Sequence, residues 1–453
     1  MRAGALATCC LAATSLAACL PSTPAIRRPV DRELHRRIGA GLPPSPRATD
    51  PRVPAAVAEL LRHPLTLDGA RRIALANNRR LQAELDRLGV AAAGVADATV
   101  LAPLTVDFQY TWVVDGPGHE TELDVIQDVL DLILLPRRRG IATAELAAAQ
   151  ARAVAATVRL VADVEIAFTD MVVAQLQLEL RQTAFDAADA AAELAERLHA
   201  AGNLPDLDLA RELEQQERAR IDLGRAQAEV ELQREHLNRV LGLTGDATRW
   251  TIAATLPALP DRVRADDLER VAIVESLELA TLRREAEASA GRLAEARVRA
   301  FLPELGVGVA ANFRLEDDAW EVGPSLRIGV PLFDQQQGPR ARANAELRRV
   351  RNQLAATAVD LRAEARAARL RLLAAHAEAG RLRDVVLPLR QRIVDETLRQ
   401  YNAMNATAFE LLVARRDLVD AGRDYLDALR RYWTTAAEVD ALRRGVVVDR
   451  RDR

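Results

Sequence analysis

The sequence contains no lysine, few aromatic residues and only three cysteines. All 62 basic side chains are therefore arginine, which excludes mechanisms that need a lysine Schiff base or a phosphate-loop lysine. Aromatic residues make up 3% of the chain, which is little for an enzyme with aromatic-lined pockets. The net charge of -3 lacks the basic excess of nucleic-acid-binding proteins. A mean hydropathy of -0.08 is too polar for a bundle of membrane-spanning helices.

Catalytic and cofactor motifs are also missing. We find no phosphate-binding loop, nucleophile elbow or dinucleotide fingerprint. The histidines are scattered and form no pair at the spacing of one helical turn; they are His35, His63, His119, His199, His236 and His376. The sequence therefore predicts a protein that is not an enzyme and holds no metal ion or cofactor.

All three cysteines lie near the N-terminus, at Cys9, Cys10 and Cys19. An uncharged run follows Arg2 and is too short and too rich in small residues for a spanning helix. It closes with Leu16-Ala17-Ala18-Cys19, which resembles the lipobox of bacterial lipoproteins. This resemblance predicts a signal peptide over residues 1–18, a covalent lipid on Cys19 and delivery to the outer membrane. An ordinary signal peptide is the alternative.

Residues 19–64 are rich in proline and arginine, with nine prolines between Pro21 and Pro64. Proline at this density disfavours one continuous helix, so we expect an extended N-terminal arm.

The rest of the chain reads as two similar halves, residues 65–260 and 261–446, followed by a tail over 447–453. Similar landmarks recur about 200 residues apart: Asn77-Asn78 with Glu275-Ser276, Pro103 with Pro303, and Gly202-Asn203 with Met404-Asn405. Such a constant offset indicates an internal duplication. Each half is predicted to run helix, strand, strand, long helix, turn and helix, with turns at 202–205 and 404–407.

The strand predictions cover residues 104–135 and 304–333. Apolar residues alternate with polar ones in Val106 to Val114, in Leu305 to Leu315 and around Val322 to Leu332. Residues 123–135 alternate poorly and could form a short amphipathic helix, but they are assigned to a strand mainly from the repeat. About ten residues of alternation, with aromatic residues near the ends, are typical of transmembrane β-strands. A soluble β-subdomain is the alternative.

Long helices follow the strands, and residues 336–403 form one predicted run that Pro388 must kink or interrupt. The last helix carries two adjacent heptad seams, which suits a helix packed on both sides. One seam has alanine at 414, 421 and 428, which allows close approach of neighbouring helices.

These features together resemble the TolC family of bacterial outer-membrane efflux proteins. The motifs that carry the resemblance are Leu65-Thr66-Leu67, the segment 73–78, Gly202-Asn203, Leu241-Gly242-Leu243, the segment 330–334 and the turn at 401–414. Four strands cannot close a barrel, so closure needs several chains. The resemblance implies a homotrimer with a 12-stranded transmembrane β-barrel that continues into an α-helical periplasmic barrel.

The resemblance also implies a function. It predicts a passive exit duct of a tripartite efflux system, working with a periplasmic adaptor protein and an inner-membrane pump. Residues 401–404 and 409–412 look more like members paired with heavy-metal exporters. A conduit for polypeptide secretion and a structural coiled-coil lipoprotein remain as alternatives.

Two kinds of site residue follow from the resemblance. The turns at Gly202, Asn203, Met404 and Asn405 are predicted to dock the adaptor, since Gly and Asn accept positive φ. Glu410 matches the first acid of the family's periplasmic gate, whereas Val413 replaces the second. Asp417 and Asp424 continue an acidic stripe from Glu410. We expect Arg415 or Arg416 of neighbouring helices to pair with these acids.

Overall fold

The computed structural model describes residues 23–42, 52–112, 114, 119–314, 319–333 and 335–448. The predicted signal peptide, Cys19 and the chain end from residue 449 lie outside the described residues. The chain divides into two compact units. The sheet unit consists of the segment up to Glu33, Glu84–Val154 and Leu277–Ala358. The helical unit consists of Leu34–Ala83, Ala155–Ser276 and the segment from Val359 onward.

Two helices occupy part of the proline-rich N-terminal segment, α1 over Thr23–Ile38 and α2 over Arg52–Leu60. The expectation of an extended arm is therefore wrong for these residues. Pro24 lies in the first turn of α1, where a helix needs no backbone N–H donor. Pro29 lies inside α1, but Val30 and Leu34 beside it are completely buried, and this burial offsets the lost hydrogen bond.

Both halves contain the same order of elements. The first half consists of α3 (Leu67–Asn77), α4 (Arg79–Thr99), β1 (Thr105–Trp112), β2 (His119–Asp128), α5 (Val129–Ala200) and α6 (Asp206–Leu241). The second consists of α7 (Leu268–Glu275), α8 (Leu277–Phe301), β3 (Leu305–Arg314), β4 (Ala319–Ile328), α9 (Gln337–Arg381), α10 (Leu387–Asn402) and α11 (Ala408–Arg443). This is the predicted order of helix, two strands, long helix, turn and helix.

In both halves, a side chain links the end of the first helix to the end of the last helix, and both links lie within the helical unit. Asn77 at the end of α3 donates to the carbonyl oxygens of Leu241 and Gly242 at the end of α6, at 3.2 and 2.6 Å. Glu275 takes the place of Asn77 at the end of α7, and there Arg37 of α1 donates to the carbonyls of both Glu275 and Arg444. An arginine from the N-terminal segment thus satisfies the last carbonyls of α7 and α11.

The long helix of the second half is interrupted, as Pro388 predicts. A π-helical turn over Leu382–Val386 separates α9 from α10, and Pro388 stands in the first turn of α10. Proline lacks the donor that a continuing helix requires, so the backbone changes its hydrogen-bonding pattern just before it. The alanine seam of α11 is buried at Ala414, Ala421 and Ala428, which confirms close packing on that side.

The four strands form one antiparallel sheet in the order β1-β2-β3-β4. The strand assigned to residues 123–135 is wrong beyond Asp128, where α5 begins. The alternation lies earlier, with Thr121, Leu123 and Val125 on one face and Glu120, Glu122 and Asp124 on the other. Leu130 and Leu134 are buried four residues apart, which is helical spacing.

Across the described residues, each helix lacks a stretch that is both long and apolar enough to cross a membrane.

Candidate functional site

The sheet has one apolar and one polar face. Strand register places Val106, Phe108, Tyr110 and Trp112 of β1 on the same face as the apolar residues of the other strands, among them Leu123, Val125, Val307, Val309, Val322 and Leu326. Most of these side chains are exposed, with Phe108 66%, Val309 50% and Val322 67% exposed, whereas Leu123 and Val125 are half-buried. This apolar face is large and is not covered by the described chain, which marks it as an interaction surface.

Aromatic residues lie at the hairpin end of the apolar face. The rings of Phe313 and Trp320 are 5.3 Å apart, and those of Tyr110 and Trp112 are 5.5 Å apart. The His119 ring lies between these pairs, 5.3 Å from Tyr110 and 5.9 Å from Phe313. Amphipathic rings in this position are typical of strands that end at a membrane surface.

The opposite face is polar and carries several carboxylates. Asp107 lies directly opposite Asp124, and Gln109 lies opposite Glu122. Arg327 of β4 reaches Asp107 of β1 at 3.5 Å, although a flat sheet would separate these strands by about 14 Å. The sheet therefore curls with its polar face on the concave side.

The two helix-reversing turns share one backbone geometry. Gly202 has a φ of 75°, and the N–H of Asn203 donates to the Leu198 carbonyl at 2.8 Å. Met404 has a φ of 59°, and the N–H of Asn405 donates to the Gln400 carbonyl at 2.8 Å. In both turns, a residue with left-handed backbone ends the helix, and the N–H of the next residue donates to the carbonyl oxygen five positions earlier.

The left-handed position of the second turn is occupied by Met404, whereas Asn203 and Asn405 do not adopt positive φ. Our expectation that asparagine supplies this conformation is therefore wrong. The Met404 side chain is 94% exposed and points away from the packed helices. In the first turn, His199 adds a side-chain bond, because its Nδ1 lies 2.8 Å from the Leu204 carbonyl oxygen.

Glu410 lies in the first turn of α11, the helix that follows the second turn. Its carboxylate accepts a bond of 2.6 Å from the Thr407 N–H, and its own N–H donates to the Thr407 hydroxyl at 3.2 Å. This reciprocal pair is a capping box, which satisfies two free donors of α11. The Thr407 N–H, and then the Thr407 hydroxyl, hold the pKa of Glu410 below its usual value.

Asp417 joins α11 to α10. Its carboxylate lies 2.8 Å from the guanidinium of Arg390, and both side chains are about one-third exposed. The pairing of these acids with Arg415 or Arg416 of neighbouring helices stays a prediction. Burial raises the pKa of the Glu212 carboxyl on α6, and the nearby guanidinium of Arg416 only partly offsets this rise. Asp424 pairs with its neighbour Arg423 at 3.1 Å.

A second arginine connects three helices of the helical unit. Arg181 of α5 lies 3.5 Å from Asp222 of α6 and 3.6 Å from Asp420 of α11. Nothing in the sequence marked Arg181 or Arg390, because their partners are distant along the chain. The rule that a partly buried acid on α11 needs a counter-charge would have pointed to arginines on the neighbouring helices. Partly exposed pairs of this kind contribute about 0.2–1 kcal/mol each.

A cavity of about 370 Å³ lies between α5, α6 and α11. Its charged lining residues are already engaged: Asp170 with Arg430 at 2.7 Å, Asp427 with Gln177 at 2.7 Å, and Arg431 with Glu378 at 2.6 Å. Within the described ranges, His, Cys, Asp and Glu do not gather in groups of three or more that could hold a metal ion.

This fold is that of a class of outer-membrane channel proteins. The Campylobacter jejuni CmeC outer membrane channel aligns with a TM-score of 0.66, 14% identity, and coverage of 84% of this chain and 85% of that chain. The outer membrane protein VceC from Vibrio cholerae aligns with a TM-score of 0.63, 18% identity, and coverage of 88% and 97%.

Sequence similarity adds a curated relative, the cobalt-zinc-cadmium resistance protein CzcC of Cupriavidus metallidurans. It is 26% identical over 384 residues, which cover 84% of this chain and 90% of the relative. No family model matches the chain. The resemblance to the TolC family of outer-membrane efflux proteins is confirmed by these similarities in fold and sequence.

Proposed function

We propose that this protein is the outer-membrane exit duct of a tripartite efflux system and conducts substrates passively from the periplasm to the exterior. The observation that carries the proposal is the sheet, whose exposed convex face is apolar and whose concave face is polar. A soluble subdomain would cover such an apolar face, whereas a lipid-facing strand leaves it exposed.

The assembly that we propose is a homotrimer. Four strands have two open edges, and open edges in lipid leave backbone groups unpaired. Three copies would supply 12 strands and close a barrel wide enough for a conduit, whereas two copies would give a bore filled by side chains. A lipid on Cys19 would anchor each chain to the same membrane.

Divalent metal ions are the substrate class that we propose. The relative CzcC is named for cobalt, zinc and cadmium resistance. The polar face of the sheet bears carboxylates at Asp107, Glu122, Asp124 and Glu321, which would favour cations in a lumen.

The periplasmic end, in this proposal, is formed by the turns at Gly202-Asn203 and Met404-Asn405. Their shared geometry presents two similar tips to a periplasmic adaptor linked to an inner-membrane pump. Glu410 and Asp417 lie within 13 residues of the second tip and would line the gate. The ties Arg390–Asp417 and Arg181–Asp420 hold α11 against its neighbours and would keep that gate closed.

The test is a deletion of the gene, followed by measurement of cobalt, zinc and cadmium accumulated by the cells. Accumulation should rise in the deletion strain and return to normal with the wild-type gene. It should stay high with Val309→Arg, which places a charge on the apolar face. Unchanged metal accumulation combined with loss of a secreted polypeptide would support the secretion conduit instead.

A further inference from the structure

The sheet unit exposes a band of apolar side chains at one end of its sheet. β1 and β3 begin at this end and β2 and β4 finish there, so the flanking helices all approach it. The exposed side chains are Leu104 (57%), Ile133 (59%), Phe301 (86%), Leu332 (74%) and Phe333 (97%). We call these residues the apolar collar.

Exposed arginines follow the apolar collar along three separate segments. On α5, Leu132 and Ile133 are exposed, and Arg137 and Arg139 follow on the same exposed side, one to two turns further from the sheet. On α8, Arg297 precedes the exposed Phe301 by one turn. At the start of α9, Arg340 and Arg342 follow Leu332 and Phe333. We call Arg137, Arg139, Arg297, Arg340 and Arg342 the basic collar.

These arginines are not neutralised by the part of the chain that the structure describes. Arg137 contacts the carbonyl oxygen of Ala294 at 3.5 Å, and none of the five pairs with a described carboxylate. The nearby acids are occupied by other arginines. Asp131 binds Arg138 and Arg299 at 3.2 and 2.7 Å, and Glu295 binds Arg299 at 3.2 Å. These five guanidinium groups therefore place positive charge on the surface below the sheet that is not paired with a described carboxylate.

Proteins that cross the lipid headgroup region often place an apolar residue next to the membrane core and an arginine one or two helical turns further out. The aliphatic stem of arginine lies along the apolar surface while its guanidinium reaches outward. A guanidinium binds phosphate through paired N–H donors, and basic residues at a membrane surface attract anionic lipids. The repetition of this order on three segments makes a chance arrangement a poor explanation.

We infer that the apolar collar and the basic collar together form a docking surface for the anionic headgroups of one phospholipid leaflet. This inference rests on the proposed function, because it takes the sheet to cross the membrane. The anionic lipids would fix the depth of the sheet in the bilayer, with phosphate at the level of the guanidinium groups.

The test uses the full-length protein, purified in detergent and offered to vesicles of phosphatidylcholine alone or of phosphatidylcholine mixed with phosphatidylglycerol. Flotation on a density gradient measures the fraction of protein held by each vesicle type. Wild type should prefer the vesicles that contain phosphatidylglycerol. A collar variant with Arg139, Arg297, Arg340 and Arg342 each changed to Gln should lose that preference by about tenfold or more.

A matched variant controls for net charge. Changing Arg211, Arg218, Arg220 and Arg225 of α6 to Gln removes the same charge from exposed helical positions outside the sheet unit. This control should keep the wild-type preference. Added salt should weaken the preference of the wild type itself, which tests the electrostatic origin without any variant.

The remaining outcomes separate the two proposals. Equal binding of wild type to both vesicle types, or equal loss of preference in the collar and control variants, overturns the headgroup inference and leaves the proposed function intact. If folded wild type, checked by its helical circular dichroism, floats with neither vesicle type, the membrane-spanning function itself is contradicted.

Discussion

Met404 adopts a left-handed backbone conformation that costs a non-glycine residue about 1–2 kcal/mol. The equivalent position of the first turn is Gly202, which adopts it without that cost. Because the Met404 side chain is 94% exposed, its packing does not compensate for the strain.

Met404→Gly should therefore stabilise the protein by about 1 kcal/mol, since the strain is released and little packing is lost. The shift in the thermal unfolding midpoint of the detergent-solubilised protein measures this. Ala403→Gly is the matched control. Ala403 has a φ of -85°, so glycine there should lower the midpoint. A lower midpoint for both variants would contradict the strain at Met404.

Glu410 supports the start of α11 most strongly while its carboxylate is charged. Its pKa is lowered in the folded protein, so its contribution is complete above the usual carboxyl pKa and is lost as pH falls through the lowered value. Hydrogen exchange at the amides of residues 407–411, corrected for intrinsic rates, should therefore accelerate at acidic pH. Glu410→Gln should abolish this acid-dependent step. If hydrogen exchange in the wild type depends on pH in the same way as in Glu410→Gln, the charge of Glu410 does not stabilise the capping box.

Among the secondary-structure elements, the strands offer the sharpest test of the proposed function, because strand register decides on which face of the sheet each side chain lies. Val309 lies on the apolar face and Gln109 lies on the polar face, and both are exposed. The same substitution at these positions therefore separates a lipid environment from an aqueous one.

Val309→Arg should destabilise the assembled protein by about 2–4 kcal/mol if the residue lies near the bilayer midplane, and Gln109→Arg by much less. The yield of assembled protein in membranes, compared with the total expressed, is the measurement. Similar yields for the two variants would mean that the apolar face does not meet lipid.

Much of this architecture was predictable because its signals are local. Alternation of polar and apolar residues located β1, β3 and β4, and Pro388 located the break between α9 and α10. The end of β2 was misjudged because Leu130 and Leu134 are apolar in either conformation, and only packing selects the helix. α1 was missed because burial of Val30 and Leu34 outweighs the presence of Pro29.

The candidate site was less predictable than the fold. Glu410 was identified from the resemblance and Asp417 from the seven-residue recurrence of acids after it, but their partners are set by contacts across the chain or by cap geometry. Arg390 is separated from Asp417 by 27 residues, and Arg181 is far from Asp420. Such pairs appear only once the helices are packed against each other.

As a whole molecule, the proposed duct has three parts: a lipid anchor, a membrane-spanning sheet and a helical conduit. Cys19 lies outside the described residues, so the anchor rests on the lipobox-like sequence alone. Two or three acyl chains would hold the N-terminus firmly, at about 0.8 kcal/mol for each buried CH₂ group. The strands would retain the protein in the membrane even without the lipid.

Metabolic labelling with palmitate should therefore label the wild type and leave Cys19→Ser unlabelled. Cys9→Ser, in the predicted signal peptide, is the control and should be labelled like the wild type. An unlabelled wild type would contradict the lipoprotein assignment, whereas membrane fractionation alone would not decide it.

The central claim is that three copies of this chain enclose a conduit. Electron-microscopy projections of the purified, detergent-solubilised protein test it most directly. If the trimer is correct, the particles should have the mass of a trimer, and their end-on views should show threefold symmetry and a stain-filled centre. Monomeric particles without a central opening, from protein that retains its helical circular dichroism, would contradict it.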